Sequence, residues 1–400
     1  MTGPATWVSD NRNRSNGESV TSSRRSFLRS LCVGTVTGAL WPIAASSQPV
    51  SFEPSNSGPH DGFIRLNSNE NPYGPPPRVV ETIMSAVAST NRYPRMEYAS
   101  LRESIADSHG VKPEQVILGC GSTEVLRMAA FAFLGNGKRL IQALPTFEAI
   151  EYYAGAAGSK AISVGLNSSF GHDLGGMLSR ADANTGLIYI CNPNNPTASL
   201  TPRKDLEEFV KRVPRSTVVI IDEAYHHYAG QSGMYSSFID HPIDDDRILV
   251  ARTFSKVYAL AGLRIGYAVA SPILIQRMQN FATHDNINAI ATFAAHAALD
   301  DKAGTSDLVR RNADDRQEFF NQAMARALKP VDSHANFVMM NTFHPATDVV
   351  QHFQKNNILI GRSFPPLDTY IRVSLGRPEE MSAFWRTWDL LPWSKNLMHH

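Results

Sequence analysis

The sequence predicts an α/β protein: a three-layer domain with a mainly parallel central sheet, plus a smaller α+β domain. Short apolar runs at residues 116–118, 140–143, 187–191, 218–221, 248–251 and 265–269 are continuous rather than alternating, the pattern of strands buried on both faces. Segments of helical period separate them, as in a sheet covered by helices on both sides. Beyond about residue 307 the texture changes to a mixture of long helix and isolated strands. Of the 400 residues, 42% are hydrophobic and 19% charged, which supplies a large core and excludes wholesale disorder.

Taken in order, residues 1–23 are polar and lack an apolar period. Ser23-Arg24-Arg25-Ser26-Phe27-Leu28-Arg29 then precedes an uncharged stretch over residues 30–45, shorter than the ~20 residues of a membrane span. Small residues (Ala44, Ala45, Ser46, Ser47) close it, so residues 1–47 are expected to be a removable signal peptide. The paired arginines followed by Phe-Leu resemble a twin-arginine export signal, which implies a periplasmic or other extracytoplasmic location, and a cytoplasmic one if the signal is unused. Loss of this leader removes Cys32 and leaves Cys120 and Cys191, too few for a disulfide scaffold and not in a Cys-x-x-Cys zinc pattern. The 38 basic and 37 acidic residues form no long run, which argues against electrostatic nucleic-acid binding.

Residues 48–62 are rich in Ser, Pro, Asn and Gly and read as a linker. Residues 63–92 are expected to join the small domain, residues 93–300 to form the large domain and residues 301–395 the small C-terminal domain. Within the large domain, Thr201 as N-cap, Pro202 at the first helical position and the stripe Leu206, Phe209, Val210, Val213 predict a helix. In the small domain the pattern predicts helices at 308–328, 348–355 and 378–388, with strands at 336–341, 358–360 and 370–375.

Polar residues gather where the strands of an open α/β sheet end, the usual ligand position in such sheets. Gly119-Cys120-Gly121-Ser122-Thr123-Glu124 follows the first run and opens a helix, whose free N–H groups and dipole favour a phosphate. Glu124 breaks the G-x-G-x-x-G dinucleotide pattern, and a tight turn with a capped helix explains the segment equally well. Asn192-Pro193-Asn194-Asn195-Pro196-Thr197 is a loop stiffened by two prolines, which turn chemistry alone could also account for. Asp222-Glu223-Ala224-Tyr225 ends a buried strand, so Asp222 needs a cationic or hydrogen-bonding partner, such as a protonated ring nitrogen. Thr253-Phe254-Ser255-Lys256 with Arg264 offers an amine able to form a Schiff base, and hydroxyl and guanidinium donors suited to a phosphate. Alone, any one lysine is a solvated surface charge.

In this order the four strand ends resemble fold-type-I pyridoxal-phosphate aminotransferases (class I/II), the aspartate aminotransferase superfamily. Leu66-Asn67-Ser68-Asn69-Glu70-Asn71-Pro72-Tyr73-Gly74-Pro75, Asn91-Arg92-Tyr93-Pro94 and Ile371-Arg372-Val373-Ser374-Leu375-Gly376 are most similar to the histidinol-phosphate aminotransferases. The likeness runs from about residue 63 to about residue 390 and implies the three-layer fold of pyridoxal-phosphate transferases. It further implies that Lys256 forms a Schiff base with pyridoxal 5'-phosphate and acts as the general base, and that Asp222 pairs with the pyridine nitrogen. By the same likeness Tyr225 and Asn195 hold the phenolic oxygen, and Phe147 stacks on the ring where Tyr is common. Gly121, Ser122, Thr123, Thr253, Ser255 and Arg264 hold the phosphate, with Tyr93 supplied by a second subunit, hence a homodimer. Arg372 clamps the substrate carboxylate with Tyr73 closing over it, and Arg362 adds a second anion contact. The activity implied is transamination between an amino acid or histidinol-phosphate-like amine and a 2-oxo acid such as 2-oxoglutarate.

Four features depart from or complicate this pattern. Ala198 stands where the family usually has Gly, which carries strain if the backbone needs a positive φ. His226-His227 follows Tyr225 and raises a metal site as an alternative, without further ligands nearby in sequence. Cys120 is expected to be a small packing residue. The export signal conflicts with a cytoplasmic biosynthetic substrate such as histidinol phosphate. The alternatives are a decarboxylase of a phosphorylated amino acid, similar to threonine-phosphate decarboxylases, and a non-catalytic cofactor-binding protein.

Overall fold

The computed structural model describes residues 62–393; the expected leader and all but the last residue of the linker lie outside the described residues. The described residues begin with β1 (Ile64–Leu66), α1 (Pro77–Ala86), α2 (Arg95–His109), β2 (Val116–Gly119), α3 (Ser122–Phe133), β3 (Arg139–Leu144) and α4 (Ala149–Ala156). It continues through β4 (Lys160–Gly165), α5 (Leu174–Arg180), β5 (Thr185–Cys191), α6 (Arg203–Arg212), β6 (Val218–Asp222), α7 (His226–Ala229) and β7 (Ile248–Thr253). After β8 (Gly266–Ala270) come α8 (Pro272–Gln279), α9 (Ala289–Asp300), α10 (Lys302–Met324) and β9 (Phe337–Asn341). The last elements are α11 (Ala346–Lys355), β10 (Ile358–Ile360), β11 (Tyr370–Ser374) and α12 (Pro378–Trp388).

Seven strands form one sheet in the order β2-β8-β7-β6-β5-β3-β4, parallel except that β8 runs against both of its neighbours. Every residue of β5, β6 and β7 is buried, which is why these strands read as unbroken apolar runs. Ile188, Ile190, Val219, Ile221 and Val250 pack on one face with side chains of α2, α6 and α9. Leu187, Tyr189, Ile220, Leu249 and Ala251 pack on the other with α3, α4 and α8. The three-layer arrangement follows directly. The edge strand β4 escapes the sequence pattern because only Val164 in it is buried, so no apolar run forms.

The helix after Pro202 starts at Arg203, with Pro202 rather than Thr201 at the N-cap. Thr201 is not the cap because its hydroxyl bonds the buried His172 instead, 2.7 Å from Nδ1 and 3.1 Å from the backbone N–H. Likewise α10 starts before residue 308, because Asp301 caps it by accepting from Gly304 N–H at 2.9 Å. No helix among the described residues is long and apolar enough to cross a membrane.

The remaining strands make two pairs: β9 with β11, antiparallel, and β1 with β10, parallel with Ile64 opposite Ile358. Leu66, Phe319, Val338, Phe353, Ile371 and Phe384 fill the core beneath them. Phe353 and Phe384 stack with centroids 4.7 Å apart.

Two acids close β6 and point to opposite sides, as successive strand residues must. Glu223 meets Arg252 of β7, whose Nη2 and Nε lie 2.9 and 3.1 Å from Oε2, with both side chains almost wholly buried. The Ser237 hydroxyl and the Phe238 N–H also donate to the Glu223 carboxylate, each at 2.8 Å. A buried charge deprived of its partner is far more costly than the pair itself is stabilising. Arg252→Ala is therefore expected to destabilise the protein by about 3–5 kcal/mol, seen as a lower urea midpoint at an unchanged m-value.

Candidate active site

Strands β2, β5, β6 and β7 run in one direction, so the segments that follow them meet at one edge of the sheet. There they surround a cavity of about 490 Å3, within the size range of small-molecule sites. Ser122, Thr123, Phe147, Asn195, Asp222, Tyr225, Thr253, Ser255, Lys256, Arg264, Arg362 and Arg372 all line it. Four separate stretches of chain thus converge as expected from the sequence.

At one end lies a cradle of donors. Gly121 has φ +76°, and a Cβ there would collide with the guanidinium of Arg264; a Cβ on Gly266 would collide with the backbone of Ser122. Arg264 donates to Ala261 O at 2.9 Å and reaches Ser255 Oγ and Thr123 Oγ1 at 3.4 Å. The Thr253 hydroxyl donates to Ser255 Oγ at 3.0 Å. With the N-terminus of the twelve-residue helix α3, these groups form a compact anion site. Glu124 bonds the Cys120 N–H at 2.6 Å. Burial opposes its ionisation, yet Cys120, Asn286, Thr283 and Arg127 outweigh that and hold its carboxyl below the ordinary range. Cys120 itself is exposed, not the packing residue expected, because its side chain leaves the sheet at the turn before α3.

Asp222 lies 1% exposed at the opposite end. Its Oδ2 accepts from Tyr189 at 2.8 Å and its Oδ1 from the Ala224 N–H at 3.1 Å. Burial pushes its carboxyl up to about 6, against the pull of those two donors. Tyr225, also buried, accepts at its hydroxyl from Asn69 Nδ2 at 3.1 Å. Between the two ends, Lys256 Nζ donates to the carbonyls of Asn69 (3.1 Å) and Ser68 (3.4 Å). Burial, then Arg372 and Arg264, lower its amine to about 8, while Glu70 and Asp222 act the other way.

Arg372 on β11 is 8% exposed, and its guanidinium meets only neutral oxygens: Asn195 Oδ1 and Asn67 O, both at 2.6 Å. Its Nε is buried without a partner, and burial lowers the group to about 10. A buried cation without a carboxylate is poised for an anion from outside. Asn195 is spent through Oδ1 on Arg372, so its amide nitrogen is what it offers the cavity. Asn192 and Asn194 hold the loop instead: Asn192 bonds both the N–H and the carbonyl of Thr201, and Asn194 bonds Thr146 and Thr197. Arg362 sits at the rim, paired with the exposed Glu148 and donating to Ser363 O at 2.8 Å.

Three expected residues do not line this cavity: Tyr73, Tyr93 and Gly121, the last of which abuts Arg264. The Tyr73 hydroxyl donates to Asp315 at 2.8 Å, and its ring lies beneath Arg311 and Arg377, lining a different and much smaller cavity. Within one chain, then, Tyr73 does not close over Arg372, because α10 holds it. Tyr93 is 75% exposed and does not line its own chain's cavity. Ala198 takes φ +60° with its methyl buried. That backbone costs alanine ~1–2 kcal/mol, partly offset by ~0.8 kcal/mol for the buried methyl. His226 and His227 lie with ring centroids 3.7 Å apart, and burial keeps both neutral, His227 falling to about 3. No group of three metal-ligating side chains occurs among the described residues.

Sequence reasoning did not assign Ser68, Asn69, Glu70, Glu148 or Phe364 to the cavity, nor Tyr189 to Asp222. The Asn-rich stretch 67–71 carried the signal for the first three. Glu148 and Phe364 come from loops with no local pattern.

Comparison with known proteins agrees with this geometry. Residues 61–386 match the family Aminotransferase class I and II. The chain is 34% identical to the histidinol-phosphate aminotransferase of Moorella thermoacetica over 325 residues, covering 81% of this chain and 84% of that one. It is 36% identical to histidinol-phosphate aminotransferase 2 of Carboxydothermus hydrogenoformans, covering 80% and 88%. Histidinol-phosphate aminotransferase from Sinorhizobium meliloti, solved with pyridoxal-5'-phosphate, superposes with a TM-score of 0.77 at 27% identity, over 84% of this chain and 91% of that one.

Two titrations test the electrostatics in protein freed of bound small molecules. Lys256 is expected to react with trinitrobenzenesulfonate with a midpoint near pH 8, where exposed lysines titrate near ~10.4. For Asp222 the folded-state value is raised, so the folded protein binds the extra proton and stability falls as pH rises from about 4 to about 6. Asp222→Asn should thus be more stable than the parent by roughly 2–3 kcal/mol at pH 8, an advantage that vanishes towards pH 4 in urea unfolding.

Proposed function

The chain belongs to the class I and II aminotransferases, and from that premise we propose that this cavity moves an amino group from an amino acid or a histidinol-phosphate-like amine to a 2-oxo acid such as 2-oxoglutarate. The observation that carries this reading is the lining of one cavity by the Lys256 amine, the Asp222 carboxylate and the cradle around Arg264. The residues fit pyridoxal 5'-phosphate: without side chains, Gly121 and Gly266 let the Arg264 guanidinium and the Ser122 backbone close in, which gathers donors suited to a phosphate. Ser122, Thr123, Thr253, Ser255 and Arg264 would hold that phosphate, Asp222 the ring nitrogen, Tyr225 and Asn195 the phenolic oxygen, and Phe147 the ring face. Bound there, the cofactor supplies an electron sink for the bond broken at the substrate Cα.

The protein's own part is binding and proton transfer. Arg372 takes the substrate carboxylate, whose charge answers a buried guanidinium with an unpartnered Nε. Lys256 would hold the cofactor through its amine and would move the proton at the substrate Cα. Its amine near 8 leaves a usable neutral fraction at neutral pH, as a general base requires. Asp222, ionised and shielded from water, would keep the ring nitrogen protonated. The phosphorylated-amino-acid decarboxylase and the non-catalytic alternative have no comparable support from an observation.

The assembly proposed is a homodimer in which Tyr93 completes the neighbouring site. Tyr93, Met84, Val87 and Met96 leave an exposed apolar surface over residues 84–96, in keeping with a covered interface. The location proposed is outside the cytoplasm, an inference that rests wholly on residues 23–47, beyond the described residues.

The test is a panel of amino donors, including histidinol phosphate, assayed with 2-oxoglutarate as acceptor. Keto product formed in step with glutamate supports the reading; carbon dioxide released without need of a 2-oxo acid overturns it. Lys256→Ala should lower kcat by at least ~10²–10⁴-fold. Arg372→Lys should raise KM for carboxylate donors by about 10–100-fold through loss of the bidentate clamp.

A further inference from the structure

Tyr189 is the one polar side chain facing the helical layer from the buried aliphatic segment at residues 187–190 of β5. It is completely buried, and it does not line the cavity. Cys191 stands directly opposite Asp222 in the β5–β6 register, so Tyr189 lies on the diagonal, within reach of a long side chain. Its hydroxyl lies 2.8 Å from Asp222 Oδ2. Packing alone would be served by phenylalanine, since a buried hydroxyl is costly unless it finds an acceptor. The acceptor it finds is the carboxylate at the centre of the site.

We propose that Tyr189 is a positioning residue: its hydroxyl keeps the Asp222 carboxylate ionised and aimed into the cavity, and so governs how tightly the site holds a protonated ring nitrogen. The inference rests on the reading of the cavity as a pyridoxal-phosphate site. The groups facing Asp222 are Tyr189 and Cys191 from β5, Glu223 and Tyr225 along its own strand and turn, and Lys256 after β7. Burial holds the Cys191 thiol and both tyrosines in their neutral forms. The Glu223 charge opposes ionisation of Asp222 but is itself met by Arg252. Lys256 favours ionisation through its charge alone, without a hydrogen bond to the carboxylate. Tyr189 and the Ala224 N–H then remain as the donors that hold the negative charge, and of these only Tyr189 is a side chain. Each carboxylate oxygen has two acceptor sites, so a bond to Tyr189 leaves Oδ2 free to accept from the ring as well.

The test uses pyridoxamine 5'-phosphate, which carries the ring and the phosphate but has no aldehyde to react with Lys256. Its Kd is measured by fluorescence from pH 5 to pH 9 on cofactor-free protein. Tyr189→Phe is expected to raise Kd about tenfold at pH 7, equivalent to ~1.4 kcal/mol, and to move the acid-side midpoint of binding up by about one pH unit. In an Asp222→Asn background the same change should alter Kd by less than about twofold, because the hydroxyl has lost the charge it serves. A Tyr189→Phe profile that superimposes on the parent overturns the proposal, as does an equal loss in both backgrounds. Should Tyr189→Phe fail to fold, 3-fluorotyrosine at position 189 makes a stronger donor and should lower the midpoint; an unmoved midpoint overturns the proposal. Absence of any binding by the parent protein overturns the cofactor reading itself, and this inference with it.

Discussion

The structure depends on how two adjacent acids at the end of a buried strand are satisfied. Asp222 and Glu223 leave β6 on opposite sides, and neither can remain charged in an apolar layer without donors. Glu223 is fully paired with Arg252 and Ser237, so it ties β6 to β7 and to the segment around residue 237. Asp222 receives only two neutral donors and keeps acceptor capacity towards the cavity. One acid stabilises the scaffold; the other retains the unsatisfied charge that chemistry can use.

A second dependence runs through the N-terminal segment. The backbone of residues 67–72 receives Arg372 at Asn67 O, Lys256 at Ser68 O and Asn69 O, and Arg377 at Pro72 O. Asn69 also reaches Tyr225 through its side chain and Ser374 through its N–H. This strip of polar backbone is bonded by both Arg372 of β11 and Lys256 after β7, and so ties the guanidinium to the amine. Its positive φ at Asn69, tolerated better by Asn than by most residues, is part of that path.

Much of this was legible before the structure. The strands buried on both faces were read within a residue or two, because two-sided burial writes itself as a continuous apolar run. Asp222 stands out because an acid at the end of such a run needs a partner, Lys256 and Arg264 because they bring an amine and a guanidinium beside hydroxyls, and Arg372 only through the family resemblance of residues 371–376. The edge strand β4 did not stand out, since one exposed face dilutes the pattern. Thr201 looked like a helix cap and instead bonds His172, a partner distant in sequence. Tyr73 was expected over Arg372, but Asp315 on α10 holds it elsewhere.

The sequence by itself determined the fold class, which local periodicity carries directly, and pointed to the candidate residues and the kind of reaction through motifs that resemble a known family. Tertiary structure alone decided which groups share an environment. It showed that Asn195 is bound to Arg372, that Asn192 and Asn194 serve the loop, and that Tyr189 is the partner of Asp222. The reason is physical: ionisation and hydrogen bonding depend on burial and on neighbours brought together from distant parts of the chain, and neither is a property of any local stretch of sequence.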